Sequence, residues 1–141
     1  MKVLDILNRK GGDVLSIGPD ESLAAAAAIL AERKIGALLV MKAERIAGVL
    51  SERDIVRAVA GAGAPCLEHK VSEHMTVDVI TCAPEDSIDA VMSQMTASRI
   101  RHLPVLDGAR LAGMISIGDV VKNRIDEIEN EARALREYIT A

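Results

Sequence analysis

Aromatic side chains are almost missing from this chain. It has no Trp and no Phe, and Tyr138 is its only Tyr. Single-stranded nucleic acid is usually held on aromatic faces, so that mode of binding has nothing to build on. An excess of positive charge is missing too. Lys and Arg number 17 against 21 Asp and Glu, a formal net charge of -4. A nucleic-acid polymer calls for a dense basic surface and is not an expected partner. No apolar run in the sequence approaches the roughly 18 residues that span a bilayer. Met1-Lys2-Val3-Leu4-Asp5 lacks the apolar block of a secretion signal. Cysteine is scarce, and Cys66 and Cys82 sit in no recognisable framework. Reduced thiols in the cytoplasm fit that usage. The absences together predict a cytoplasmic protein with no membrane partner.

What is present is aliphatic. Half of the 141 residues are hydrophobic, enough for one compact domain or two small ones sharing a core. The core must be Leu, Ile, Val, Met and Ala. Met92, Met95 and Met114 fall at apolar positions and read as part of it.

One stretch organises the rest. Gly48-Val49-Leu50-Ser51-Glu52-Arg53-Asp54-Ile55-Val56 reads as an apolar strand running into a helix, with Ser51 at the junction and Asp54 three residues on. Gly113-Met114-Ile115-Ser116-Ile117-Gly118-Asp119-Val120-Val121 has the same order of small, apolar, hydroxyl and carboxylate residues. The offset between them is 65, and without a gap it pairs Val14 with Val79, Pro19 with Pro84, Ser22 with Ser87, Ile35 with Ile100, and Val40 with Val105. This is a tandem repeat of one β-α-β-β-α unit, an α/β (α+β) fold. In the first copy the strands are expected at Val14–Ile17, Leu38–Met41 and Ile46–Leu50. The helices are expected from Leu23 to about Arg33, with Asp20, Glu21 and Ser22 supplying cap residues, and from about Ser51 to Ala60. In the second copy Val79–Cys82 mirrors the first strand, and Asp107-Gly108 marks a hairpin.

The flanks complete the outline. Val3, Leu4, Ile6 and Leu7 predict a short amphipathic helix ending near Lys10-Gly11-Gly12. Gly61-Ala62-Gly63-Ala64-Pro65 reads as a linker. At the far end Val121, Ile125, Ile128, Ala132, Leu135 and Ile139 are spaced by four and three alternately, a heptad seam on one long helix. The seam packs either on the body of the protein or on a second copy of itself. The expected division is residues 1–63, residues 64–124, and a helical extension over 125–141.

Gly48-x-x-Ser51-x-x-Asp54, Gly113-x-x-Ser116-x-x-Asp119 and Ile100-Arg101-His102-Leu103-Pro104-Val105, all in register at one offset, resemble a tandem CBS-domain pair, or Bateman module. The resemblance covers nearly the whole chain, which looks like a stand-alone, bacterial-type member. It implies two units packed around a pseudo-two-fold axis, with two clefts for adenosine derivatives: AMP, ADP, ATP, NAD or S-adenosylmethionine. It implies a regulator and not an enzyme, acting on an unknown protein. It also implies a homodimer, since stand-alone members often form a disc of four units. Each cleft would combine one unit's Ser-x-x-Asp with the other's leading segment. Asp119 would then go with the Lys10–Gly12 region, and Asp54 with the Met75–Val79 region, Val77 included.

The residue types suit that chemistry. A helix start offers free N–H groups and a positive dipole end to phosphate. Ser51 and Ser116 add hydroxyl donors there, and Asp54 and Asp119 are placed to accept from ribose hydroxyls. Arg53, Arg101 and His102 can neutralise phosphate, with Lys10 a further candidate. Ile35, Leu38, Val79, Ile100 and Leu103 can sandwich adenine. Gly36-Ala37 in one copy stands where Arg101-His102 stands in the other, Leu39 matches Pro104, and Arg53 matches Gly118, so two unequal sites are expected. The Ser51/Arg53/Asp54 site should tolerate more phosphate charge. Ser-x-x-Asp is equally a helix capping box that needs no ligand. Cys66, His69 and His74 match no standard zinc spacing and read as a mobile loop. His102 has no evident nucleophile to activate.

Overall fold

The computed structural model describes residues 1–140. In chain order the elements are α1 (Val3–Lys10), β1 (Ser16–Ile17), α2 (Leu23–Arg33), β2 (Ala37–Lys42), β3 (Arg45–Ser51), α3 (Glu52–Ala62), two 3-10 turns (Ala64–Glu68 and Val71–Glu73), α4 (Ile88–Ser98), β4 (His102–Asp107), β5 (Arg110–Ser116) and α5 (Ile117–Thr140). The chain packs into two compact units. One is Val14–Ile80, and the other joins Met1–Asp13 to the chain from Thr81 onward.

The repeat is carried down to single hydrogen bonds. Ser22 and Ser87 cap α2 and α4 by accepting from the N–H of Ala25 and of Ala90, each at 3.1 Å. Both helices end on a left-handed residue, Lys34 at φ 55 and Arg99 at φ 53. β2 pairs antiparallel with β3, and β4 with β5, and each ladder slips once, between Val40 and Met41 and between Val105 and Leu106. The hairpin of the first copy turns through Ala43 and Glu44, at φ 50 and 64, while the second uses Gly108 at φ 64. Two-residue hairpin loops demand such angles because they match the twist of the strands. Leu38, Leu39 and Val40 are all fully buried, which is why β2 reads as a continuous aliphatic run instead of an alternating one.

The first strand of each copy is shorter than its sequence suggests. Only Ser16 and Ile17 of Val14–Ile17 form β1, parallel to β2, with the Leu39 N–H donating to the Leu15 carbonyl at 3.3 Å. Val79–Cys82 is not a strand at all. Its remnant is a single parallel bridge between Cys82 and Val105, in which the Cys82 N–H donates to Pro104 O at 3.0 Å and the Leu106 N–H to Cys82 O at 2.8 Å. Pro104 stands where Leu39 stands in the other copy and has no N–H to give, so the ladder loses a rung. The result is a three-stranded sheet, β1-β2-β3, and a two-stranded one, β4-β5.

The expected linker over 61–65 is a turn inside a unit. α3 continues through Ala62, Gly63 reverses the chain at φ 71, and Pro65 opens a 3-10 turn. Cys66 and Val71 then enter the core formed by Ile17, Leu23, Leu38 and Leu50. The Leu23 N–H donates to His69 O at 3.0 Å, and the Val71 N–H to Glu21 O at 2.8 Å. The segment holding Cys66, His69 and His74 is therefore anchored structure and not a mobile loop.

Packing and repeat also divide the chain differently. α1 does not join the copy that follows it. Val3, Ile6 and Leu7 are buried. The Val3 and Leu4 N–H groups donate to Asp86 O and Pro84 O at 2.9 Å, and Ile88 N–H to Met1 O at 3.1 Å. The divisions 1–63, 64–124 and 125–141 follow the repeat, whereas the packing breaks at Asp13/Val14 and Ile80/Thr81. The glycine of each repeat explains why. A Cβ on Gly48 would lie 2.7 Å from Thr76 O, and one on Gly113 would lie 2.7 Å from Leu7 Cδ2. Each unit thus takes a preceding or following segment hard against its glycine-bearing strand.

α5 is one helix of 24 residues, so the 125–141 extension is continuous with the helix that follows β5. Its seam residues Val121, Ile125, Ile128, Leu135 and Ile139 are exposed, against the alternative that the body of the protein covers them.

Candidate functional site

The two Ser-x-x-Asp corners are built alike. In the Val14–Ile80 unit β3 ends at Ser51, whose extended backbone (φ -106, ψ 164) makes it the N-cap of α3. The Ser51 N–H donates to Asp54 Oδ2 at 2.9 Å, the Ser51 hydroxyl donates to the same oxygen at 3.1 Å, and Asp54 N–H donates back to Ser51 Oγ at 3.2 Å. This is a complete capping box, as the ligand-independent reading of the motif requires. The Glu52 N–H is taken by Gly36 O at 2.9 Å, and Ala37 lies opposite Ser51 in the ladder. Ile35, Gly36, Ala37, Ser51 and Asp54 therefore meet at one end of the sheet, with Arg53 exposed beside them. The carboxylate is not used up. Oδ2 carries the cap, while Oδ1 retains its acceptor sites.

The second corner repeats this with one addition. The Ser116 N–H donates to Asp119 Oδ2 at 2.9 Å, and the Asp119 N–H to Ser116 Oγ at 3.2 Å. The Ile117 N–H is taken by Arg101 O at 2.8 Å, and His102 lies opposite Ser116. Lys10, at the end of α1, reaches the same carboxylate. Its Nζ lies 2.7 Å from Asp119 Oδ2 and 3.0 Å from Met114 O. Burial pushes the Asp119 pKa up, but the hydrogen bonds from Lys10 and Ser116 and the Lys10 charge outweigh it and hold the carboxyl below its ordinary value. Gly12 lies beside β5, where an added Cβ would come within 2.6 Å of Ala112 O. Among the described residues no cation pairs with Asp54 as Lys10 does with Asp119, so the two corners differ in charge as well as in sequence.

Other candidates fall in different places. Leu38 and Leu103 are fully buried, and Pro104 is buried, with its carbonyl tied to Cys82 N–H. Leu38 and Leu103 are thereby more enclosed than Ile35, Val79 and Ile100, which are half-buried. Ile100 is half-buried, and Arg101 and Gly118 are exposed. Val77 is exposed and Val79 half-buried. They follow Thr76, whose backbone pairs with Val49 in both directions at 2.9 and 3.0 Å. Thr76 and Met114 are the residues that a motif reading misses, because each enters through its backbone. For Thr76 the available signal was Gly48, whose missing Cβ leaves room for the Thr76 carbonyl.

The Cys66, His69 and His74 set separates on folding. Cys66 is buried in the core, whereas Nδ1 of His69 lies 2.9 Å from Nε2 of His74 in stacked rings. Among the described residues no group of three or more His, Cys, Asp and Glu side chains could hold a metal ion. Cys82 is also a free, buried thiol, and burial, assisted by the Asp86 charge, pushes its pKa up to about 12. No helix among the described residues is long and apolar enough to cross a membrane.

Comparison with known proteins gives a consistent result. The CBS domain profile matches residues 3–61 and 71–126. The CBS domain-containing protein CBSX3, mitochondrial, of Arabidopsis thaliana is 34% identical over 146 residues, spanning 97% of this chain and 71% of the relative. The crystal structure of a CBS-domain protein from Agrobacterium tumefaciens superposes with a TM-score of 0.86 at 49% identity, covering 88% of this chain and 99% of the other. The CBS domain pair of protein MJ0100, solved in complex with 5′-methylthioadenosine and S-adenosyl-L-methionine, superposes with a TM-score of 0.79 at 25% identity, over 90% and 98%.

Proposed function

The chain belongs to the CBS-domain family, and on that premise we propose that it senses adenosine nucleotides (AMP, ADP, ATP or NAD) at its two Ser-x-x-Asp corners. The observation that carries this reading is the division of labour within each carboxylate. Oδ2 of Asp54 and of Asp119 is fixed by the backbone of the capping serine, which aims Oδ1 without consuming it. A carboxylate held in this way accepts from ribose hydroxyls at little further loss of side-chain freedom. The adjoining helix starts, with their serine hydroxyls, take the phosphate. That a related CBS pair holds 5′-methylthioadenosine and S-adenosyl-L-methionine supports an adenosine-bearing ligand.

The nucleotide then acts by population shift, stabilising whichever arrangement of the chain binds it better. The protein works as a cytoplasmic homodimer of CBS pairs, regulating a partner protein. Its two buried thiols are suited to a reducing compartment. The corners are unequal, and the one with exposed Arg53 accepts the longer phosphate chains. One observation favours a second reading, that of an interaction scaffold with empty corners: both capping boxes are complete as they stand, and Lys10 already occupies Asp119.

Titration calorimetry with AMP, ADP, ATP, NAD and S-adenosylmethionine, on protein refolded to remove carried-over ligand, decides between them. Binding of at least one compound in two unequal steps is expected. Silence from all five, with the protein folded, establishes the scaffold.

A further inference from the structure

α5 buries little of itself. Val120 and Asn123 are its only buried residues. On its open side Val121, Ile125, Ile128, Ala132, Leu135 and Ile139 form one stripe, with exposure rising from 45% at Val121 to 72% at Ile139. Steps that alternate four and three keep such a stripe straight only when two helices supercoil, since the mean repeat is then 3.5 residues. The spacing places Ile125, Ala132 and Ile139 at the a positions and Val121, Ile128 and Leu135 at d. Ile at a beside Leu at d, as at Ile139 and Leu135, is the pattern of two-stranded coils.

The charges beside the stripe choose the orientation. Arg124 and Glu131 fall at g, and Lys122, Glu129 and Arg136 at e. In a parallel, in-register pair each g faces the e of the next heptad on the other helix. Arg124 then meets Glu129 of the second copy, and Glu131 meets Arg136, both of opposite sign. An antiparallel pair that keeps all six apolar layers sets e against e and g against g. It would oppose Lys122 to Arg136, Glu129 to Glu129 and Glu131 to Glu131, all of like sign. Nη1 of Arg124 lies 3.3 Å from Glu127 and 3.4 Å from Asp89 of α4, yet the side chain is half exposed, so the pair with Glu129 of a second copy would be added to these contacts or exchanged for them.

We propose that α5 pairs with α5 of a second copy of this chain as a parallel, in-register two-stranded coiled coil. This rests on the homodimer of the reading above and adds to it the surface and the direction. The test uses the full chain. Light scattering after size exclusion is expected to show a dimer for the native sequence and a monomer for the double variant Ile128→Asp, Leu135→Asp. Both replaced side chains are exposed, and an unchanged thermal melt of the two units checks that they remain folded. Leu135→Cys is expected to form a disulfide-linked dimer under mild oxidation, because residue 135 faces its own equivalent only in the parallel pair and faces Ile125 in the antiparallel one. The native thiols, both buried, stay unreacted. Ala132→Ile, which fills the smallest layer, is expected to tighten the dimer at least about tenfold. A native monomer at micromolar concentration overturns both this proposal and the homodimer. A double variant that remains dimeric overturns this proposal alone and moves the homodimer to another surface. Cross-linking of Leu135→Cys only to Ile125→Cys in mixed samples overturns the parallel orientation.

Discussion

Replacing Asp54 by Asn and by Ala separates its two roles. The Asp54 side chain accepts from the Ser51 N–H at 2.9 Å and from the Ser51 hydroxyl at 3.1 Å through one oxygen. Asn retains one acceptor oxygen, so Asp54→Asn keeps the backbone bond of the cap. Its other terminus is an NH2 group, which sets a donor against the ribose hydroxyls where the carboxylate offered an acceptor. Hydrogen bonds to charged groups contribute about 1.5–3 kcal/mol each, and every 1.4 kcal/mol is about tenfold in affinity. Asp54→Asn should therefore weaken nucleotide binding at that corner by about 10- to 100-fold while urea unfolding shifts little. Asp54→Ala loses the ribose contact and the cap together, and should lower stability by a further ~0.5–2 kcal/mol. Calorimetry reads the first quantity and urea denaturation the second. Asp119→Asn should remove the other binding step and leave the Asp54 step in place. If Asp54→Asn binds nucleotide as the native chain does while Asp54→Ala is destabilised, the corner is a helix cap and the ribose argument is wrong.

The Lys10–Asp119 pair makes a pH-dependent contribution. The carboxyl titrates below its ordinary value in the folded chain, so its stabilisation is present at neutral pH and is lost as the pH falls below about 4 and through the folded pKa. The stability gap between native protein and Lys10→Met, ~0.5–1 kcal/mol for a partly exposed pair, should close in urea melts between pH 7 and pH 3, and a gap that persists in acid contradicts the pairing. Gly48→Ala should destabilise more than Gly113→Ala, because the new methyl meets the Thr76 carbonyl in one case and the movable end of Leu7 in the other. Thermal melts of the two variants check the order. With its pKa pushed up to about 12, Cys82 should resist alkylation at pH 7.5 in the folded protein and react once urea is added.

The repeat was legible because its signals are local. Of the three cap candidates before α2 it is Ser22 that caps, its repeat partner Ser87 caps α4 in the same way, and the hairpin at Asp107-Gly108 forms with the expected residues. The Ser-x-x-Asp corners were legible as well, since a capping box is written within four residues. What sequence could not supply was long-range. The offset of 65 treats Leu39 and Pro104 as equivalent, yet a strand pairs through N–H groups, and only one of them has one. The Gly-Pro stretch over 61–65 carries the composition of a linker and the geometry of a turn, because Cys66 and Val71 just beyond it are needed in the core. Composition reports what the backbone can do, and burial decides what it does.

The units exchange segments for a related reason. α1 carries three buried residues, Val3, Ile6 and Leu7, and a helix of eight residues is too short to stand in water without a surface to cover. Gly113 has no Cβ, so the strand that carries it admits Leu7 to close range. The equivalent place on the other glycine strand is taken by Met75 and Thr76. One consequence reaches the site. Because α1 ends against β5, Lys10 is delivered to Asp119 and not to Asp54. The charge difference between the corners is thus set by which unit receives the N-terminal helix, and not only by the motif residues themselves. Disrupting α1 with Leu7→Asp should abolish the acid-sensitive Lys10 contribution and bring the Asp119 corner closer to the Asp54 corner in nucleotide preference. If preference at the two corners stays as unequal as before, the inequality comes from Arg53 against Gly118 instead.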